Sequence, residues 1–132
     1  MQKSNNSKKR VPSFTVMFPF LNDWGTVGSL VSLAIATVST YTDDWEVVIV
    51  NDGSSEQDRH ALGAIVDLLN IKYQRSRPKA DQPLAENIKD TNKKSKIIKI
   101  IDHKENRGYG GALRSGFAAA SKDLIFYTDC DA

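Results

Sequence analysis

The sequence has a single cysteine among 132 residues, Cys130. No intramolecular disulfide can form, and nothing near this cysteine has the ligand spacing of a zinc site. This scarcity favours a reducing compartment, so we expect a cytoplasmic protein.

Long hydrophobic runs are also missing. The longest nearly apolar stretch, residues 30–38, is about half the length needed to cross a bilayer, so no transmembrane helix is predicted. The basic N-terminus is not followed by a long hydrophobic segment with a small-residue cleavage site, so a secretory signal is not supported. We predict a basic flexible tail at residues 1–12 and a single domain at residues 13–132.

Positive charge is concentrated in two segments. Residues 1–10 carry a net charge of +4 and residues 72–96 carry +5, which leaves −7 on the remaining residues. A basic tail and a basic insertion at 72–96 could contact anionic lipid headgroups at a cytoplasmic membrane face, or a phosphorylated acceptor. The alternative is a solvated polar insertion. We do not expect nucleic acid as a partner.

Strand-like and helix-like segments alternate along the chain. Buried strands are predicted at residues 13–22, 45–50, 97–101 and 123–128, and helices at 24–41, capped by Asp23, and at 59–69. Such alternation predicts an α/β fold, a Rossmann-like parallel sheet with helices on both faces. Ligands bind such sheets beyond the carboxyl ends of the strands, so the informative turns are PFLND, NDGSS, ENRGYGG and DCD.

Two of these turns contain glycine. In NDGSS, residues 51–55, a carboxylate, a glycine and two hydroxyls suit contact with a base or ribose, and a helix cap in an ordinary turn is the alternative. NRGYGG resembles a phosphate-binding loop, but Leu113 stands where a dinucleotide fingerprint needs its third glycine. Arg107 and Arg114 could neutralise phosphate or could be ordinary solvated residues.

Two carboxylates, Asp129 and Asp131, follow the last predicted strand. Carboxylates at the end of a buried strand are costly unless a positive partner lies between them. They could turn toward one hard cation, Mg²⁺ or Mn²⁺, which favours oxygen ligands and bridges phosphates.

Four motifs in order, TVMFPFLND, VVIVNDGSS, ENRGYGGALRSGF and FYTDCDA, resemble the donor-binding half of family-2 glycosyltransferases of the GT-A fold, particularly the polyprenyl-phosphate glycosyltransferases. The resemblance implies transfer of a sugar from a UDP- or GDP-linked donor to a hydroxyl or a lipid phosphate, with inversion. In that family the last motif is the D-x-D that binds the metal and the donor diphosphate.

The resemblance also implies roles for individual residues. Asp129 and Asp131 would bind the metal, and with Cys130 they would face the diphosphate and ribose. The other implied donor-binding residues are Pro19, Leu21, Asp23, Val50, Asp52, Asn106 and Gly108, with Val50 and Asp52 flanking the nucleoside.

The resemblance predicts a partial domain. Full domains of this family are longer, and the general base is expected beyond Ala132, so the 132-residue chain alone could be inactive. We therefore expect the apolar residues of LIFY to be partly uncovered and Cys130 to be accessible. A non-catalytic nucleotide-binding module is the alternative function.

Overall fold

The structure is a computed structural model that describes residues 11–75 and 97–130. Within these residues, strands and helices alternate as predicted. In chain order they are β1 (Phe14–Phe20), α1 (Trp24–Val38), β2 (Trp45–Asp52), α2 (Glu56–Arg75), β3 (Ile98–His103), α3 (Gly108–Ala119) and β4 (Leu124–Tyr127).

The strands form a parallel sheet in the order β3-β2-β1-β4. All eight residues of β2 are buried, as expected for a β-branched run at the centre of a parallel sheet. The chain adds strands on one side of β1 and then returns to its other side with β4. The strand order therefore reverses at β1, and the carboxyl ends of β1 and β4 flank the place where such sheets bind ligands.

Helices cover both faces of the sheet, as predicted. Side chains alternate along β1, so Phe18 and its neighbours on the same face pack against α1 and α2, whereas Met17 packs with Ala112 of α3 on the opposite face. The predicted Rossmann-like parallel sheet flanked by helices is therefore confirmed.

Both helices after the first two strands differ in length from their predictions. Helix α1 ends at Val38 rather than 41, where the hydroxyls of Ser39 and Thr40 bond to carbonyl groups of the last turn. Helix α2 begins earlier because Ser55 accepts a hydrogen bond from the Asp58 amide, a capping contact. It also continues to Arg75, so residues 72–75 of the predicted insertion are helical, and residues 76–96 lie outside the described residues.

The surroundings of β4 confirm one expectation and overturn another. All four residues of Leu124–Tyr127 are exposed, by 41–58%, as predicted for LIFY. Cys130, predicted to be accessible, is only 1% exposed. Its backbone carbonyl accepts a 2.6 Å hydrogen bond from the Thr26 hydroxyl of α1, which keeps this segment against the body of the fold.

The amino-terminal end of the sheet is held by a buried carboxylate. Glu46 Oε1 accepts hydrogen bonds from the Thr15 hydroxyl at 2.8 Å and from the Ser121 amide and hydroxyl at 2.7 and 2.9 Å. Its Oε2 accepts a 2.9 Å bond from the Lys99 ammonium. Burial alone would raise the pKa of Glu46, but these hydrogen bonds outweigh it and lower the pKa to about 2.

We predict that Glu46→Gln destabilises the fold at pH 7 by up to about 3 kcal/mol, because the unfolded chain binds a proton more readily than the folded chain. A lowered folded pKa gives stability that is present above about pH 4.5 and is lost as the pH falls toward 2. Urea unfolding of both proteins from pH 7 to pH 3 should show the difference shrinking with acid. A difference independent of pH would contradict the assigned ionisation.

Candidate functional site

A cavity of about 390 Å³ lies beyond the carboxyl ends of the strands, and we call it the crevice. Residues at or just after the ends of all four strands contribute to its lining, which comprises Pro19, Phe20, Leu21, Asp23, Asp52, Asn106, Gly108, Tyr109, Ala112, Asp129 and Cys130. The structure thus brings together eight of the residues predicted from the sequence to bind the donor.

Of the two remaining predicted residues, only Val50 is among the described residues. Val50 is fully buried and packs with Met17, Val48 and Ala112 behind the crevice, so its side chain does not line it. Asp131 lies outside the described residues.

The loop after β1 is braced against the loop after β2. The Asn22 amide donates a 2.9 Å hydrogen bond to the Ser54 hydroxyl, and the Ser55 amide donates a 3.1 Å bond to Asn22 Oδ1. Asn22 has a φ of 58°, a left-handed conformation that asparagine tolerates better than most residues. The brace fixes the position of Leu21 and Asp23 relative to Asp52.

Asp23 lies directly before α1, and the prediction that its carboxylate caps this helix is wrong. Its backbone carbonyl accepts the bonds from the Thr26 and Val27 amides, and its side chain makes no capping hydrogen bond. The carboxylate lines the crevice instead, near the positive N-terminal end of the helix dipole.

The loops after β2 and β3 meet at Gly53. This residue has a φ of 78°, and a Cβ added to it would lie only 2.5 Å from the Asn106 backbone nitrogen. Glycine is therefore required by the backbone conformation and by the close approach of the second loop. The approach brings Asn106 and Gly108 beside Asp52.

Asp52, the last residue of β2, is a buried carboxylate on the crevice wall. Its Oδ1 accepts 2.8 Å hydrogen bonds from His103 Nδ1 and from the Arg107 amide. Burial favours the neutral acid, but the His103 hydrogen bond and charge and the backbone amides outweigh it and lower the pKa of Asp52 below its ordinary value. Asp52 is thus an acceptor, available to hydroxyl or N–H groups of a ligand.

Asp129 occupies the opposite end of the crevice, just after β4. The next residue, Cys130, accepts a hydrogen bond from Thr26 of α1, which holds the segment with Asp129 beside this helix. Carboxylates of Asp129 and Asp23 supply the oxygen donors that Mg²⁺ and Mn²⁺ favour, so the residues fit the predicted ion. Among the described residues, no group of three or more potential ligand side chains could hold an ion, and Mg²⁺ commonly completes its coordination with substrate phosphates.

Sequence reasoning missed several residues of the site. His103 and Ser115 support Asp52, and Asn22 links two loops, whereas Tyr109 and Ala112 line the crevice directly. His103 could have been noticed, since it ends β3 beside the carboxyl end of β2. Ser115 could not, because only the packing of α3 on the sheet brings it near.

A second cavity, the apolar groove, has a volume of about 490 Å³. Its lining comes from β1, α1 and the segment around β4, and consists of Phe14, Val16, Phe18, Leu30, Leu33, Ala34, Thr37, Val38, Tyr41, Phe126 and Thr128. None of the described residues that line it is charged, so among them the groups expected to bind a charged nucleotide are lacking.

Three comparisons with known proteins bear on the fold and the family. A model described as Glycosyl transferase family 2 matches residues 75–132. The chain is 26% identical over 119 residues to the dolichyl-phosphate beta-glucosyltransferase of Saccharomyces cerevisiae, covering 89% of this chain and 29% of that protein.

Two solved structures share the fold. Mannosyltransferase PcManGT from Pyrobaculum calidifontis, in complex with GDP-Man and Mn²⁺, matches with a TM-score of 0.57 and 22% identity over 94% of this chain and 29% of its own. S. aureus TarS 1-349 matches with a TM-score of 0.53 and 21% identity over 90% of this chain and 27% of its own.

Together these findings confirm the predicted resemblance to family-2 glycosyltransferases of the GT-A fold. The chain spans about 29% of the length of the curated relative, toward its N-terminal part. Among the described residues, no helix combines the length and apolar character needed to cross a bilayer.

We predict that Gly53→Ala disrupts the crevice, because the added methyl group meets the Asn106 backbone and the left-handed φ is strained for alanine. The free energy of unfolding should fall by about 1–3 kcal/mol. Gly63→Ala is the matched control, since a Cβ at this position in α2 meets nothing within 4 Å and alanine favours a helix. Chemical denaturation measures both. Equal stability of Gly53→Ala and Gly63→Ala would contradict the proposed close approach.

Proposed function

We propose, on the basis of the confirmed resemblance to family-2 glycosyltransferases, that this chain supplies the donor- and metal-binding half of an inverting glycosyltransferase. The donor would be a UDP- or GDP-linked sugar. The observation that carries the proposal is the crevice, where polar groups from the ends of all four described strands meet at the position at which parallel sheets bind ligands.

The two ends of the crevice suit the two ends of a nucleoside diphosphate. At one end, the Asp52 carboxylate accepts hydrogen bonds and suits the N–H and O–H groups of a nucleoside. At the other, Asp129 and the predicted ligand Asp131 suit Mg²⁺ or Mn²⁺. When bound, such an ion would offset the negative charge that develops on the diphosphate leaving group.

Further residues would position the donor between these ends. One wall comes from the end of β1 and the loop after it, with Pro19, Leu21 and Asp23. The other comes from Asn106 and Gly108, between β3 and α3. The Gly108 amide donates a 2.7 Å hydrogen bond to Asn106 Oδ1, which fixes the amide side chain beside the crevice.

A lipid phosphate is the proposed acceptor. The curated relative is named as a dolichyl-phosphate beta-glucosyltransferase, and the basic segments of this sequence suit an anionic acceptor or membrane surface. We accordingly propose a cytoplasmic protein with peripheral membrane contact, organised as a basic tail at residues 1–12 and a partial glycosyltransferase domain at residues 13–132.

We predict that Asp129→Asn weakens the Mn²⁺-dependent binding of UDP or GDP at least about tenfold, equivalent to about 1.4 kcal/mol. Without a cation, the diphosphate and the carboxylates repel each other, so binding in EDTA should be weak for both proteins. Isothermal titration in Mn²⁺ and in EDTA measures the effect. Asp67→Asn, an exposed change in α2, is the matched control and should bind like wild type.

The same titration with Asp131→Asn tests the second predicted metal ligand. Identical affinities of wild type, Asp129→Asn and Asp131→Asn in both Mn²⁺ and EDTA would overturn the metal assignment.

We predict that Asp52→Ala lowers the affinity for UDP or GDP in excess metal by about 1–3 kcal/mol, because polar groups of the nucleoside lose a buried partner. Pyrophosphate should bind unchanged, since it has no nucleoside. Competition titrations measure both ligands. A variant that binds nucleotide normally but no longer responds to metal would show that the two ends of the crevice are assigned the wrong way round.

A further inference from the structure

The carboxylate of Asp52 is held from behind by a chain of buried hydrogen bonds. His103 Nδ1 lies 2.8 Å from Asp52 Oδ1, and His103 Nε2 lies 2.6 Å from the Ser115 hydroxyl oxygen. The side chains of His103 and Asp52 are only 3% and 7% exposed. Neither His103 nor Ser115 lines the crevice, so the chain of bonds runs from the interior toward the ligand side.

The chemistry of the pair fixes the proton on the imidazole. An ionised carboxylate can only accept hydrogen bonds, so Nδ1 carries the proton that lies between the two residues. The hydrogen bond between Nε2 and the Ser115 hydroxyl sets the rotation of the ring. The Arg107 amide is a second donor to Oδ1, and the Gly108 amide further stabilises the charge, so we take Oδ2 as the oxygen offered to a ligand.

From this geometry we infer that His103 is a positioning residue for recognition of the nucleoside, and that Ser115 orients it. His103 holds the Asp52 carboxylate at one rotation, so that Oδ2 presents a fixed acceptor to the base or ribose. This inference rests on the proposed binding of a nucleotide in the crevice. It adds a specificity role for two residues that do not touch the ligand.

The arrangement has the same residue types as a catalytic Ser-His-Asp triad, but the geometry favours a different role. In a triad the serine faces the substrate and the aspartate is buried behind the histidine. Here the aspartate lines the crevice, whereas Ser115 lies on α3 and does not. The group that is oriented is therefore the aspartate, and no nucleophilic step is involved.

Two substitutions of His103 distinguish a role in orienting the Asp52 carboxylate from a role in packing. The amide nitrogen of asparagine, two bonds from Cβ, lies near the place of imidazole Nδ1, and that of glutamine, three bonds from Cβ, lies near the place of Nε2. His103→Asn can therefore keep the donor to Asp52, whereas His103→Gln keeps a group beside Ser115 and loses that donor. Both variants replace the ring by an amide of similar polarity.

The experiment measures the affinities of UDP, GDP and pyrophosphate in Mg²⁺, with the melting temperature of each protein recorded in parallel. We expect His103→Gln to weaken whichever nucleotide wild type binds by about tenfold or more. His103→Asn should stay within about threefold of wild type. Pyrophosphate affinity should be unchanged in both variants.

The outcomes separate this inference from the proposed function. A wild-type chain that binds neither UDP nor GDP would overturn both. A wild-type chain that binds nucleotide while His103→Gln, folded but less thermally stable, binds it equally well would overturn only the positioning role. If His103→Gln does not fold, Ser115→Ala decides, with a threefold or greater loss of nucleotide affinity expected and an unchanged affinity contradicting the inference.

Discussion

The cost of burying one ionised carboxylate, that of Asp52, constrains most of the candidate site. A buried charge needs several hydrogen-bond donors, and β2 itself can supply none at its last residue. The donors come from His103 at the end of β3 and from the Arg107 amide in the loop that follows. That loop can approach only because Gly53 lacks a side chain. The loops after β2 and β3 are thus positioned by the need to satisfy a single charge.

The two ends of β2 show how similar chemistry serves different purposes. Glu46 near its start and Asp52 at its end are both buried carboxylates whose pKa values are lowered by hydrogen bonds. The bonds to Glu46 come from three sides and occupy both oxygens, and Glu46 does not line the crevice. The bonds from His103 and the Arg107 amide to Asp52 both fall on Oδ1, the Gly108 amide also stabilises this carboxylate, and the residue lines the crevice. The first carboxylate joins strands, whereas the second is placed to meet a ligand.

Much of the fold could be predicted from local sequence, because buried parallel strands and amphipathic helices each have their own period. The run that forms β2 is apolar on both faces, and the helical spacing of Val27, Val31 and Ile35 places α1. The convergence of the four turns followed from the rule that parallel strands end at one edge. The boundaries of α2 were wrong by several residues, because its last turns depend on the packing of Tyr73 against Trp45.

The supporting contacts of the site could not be predicted in the same way. The pairing of His103 with Ser115 depends on how α3 crosses the sheet, and the burial of Cys130 depends on a hydrogen bond to Thr26, 104 residues away. Asp23 was expected to cap α1, which is what aspartate at this position usually does. In the folded chain Asp23 has φ −100° and ψ 32°, not the extended conformation of a capping residue, and it lines the crevice without making a capping hydrogen bond.

The central claim is that the crevice, rather than the apolar groove, binds a nucleoside diphosphate across its two ends. The most direct measurement is a backbone-amide NMR titration of the 132-residue chain with UDP and with GDP in Mg²⁺. We expect the largest shifts at Asp52, Gly53, Asn106, Gly108 and Asp129. Shifts confined to residues of the apolar groove, such as Leu33 and Phe126, or no shifts with either nucleotide, would contradict the account.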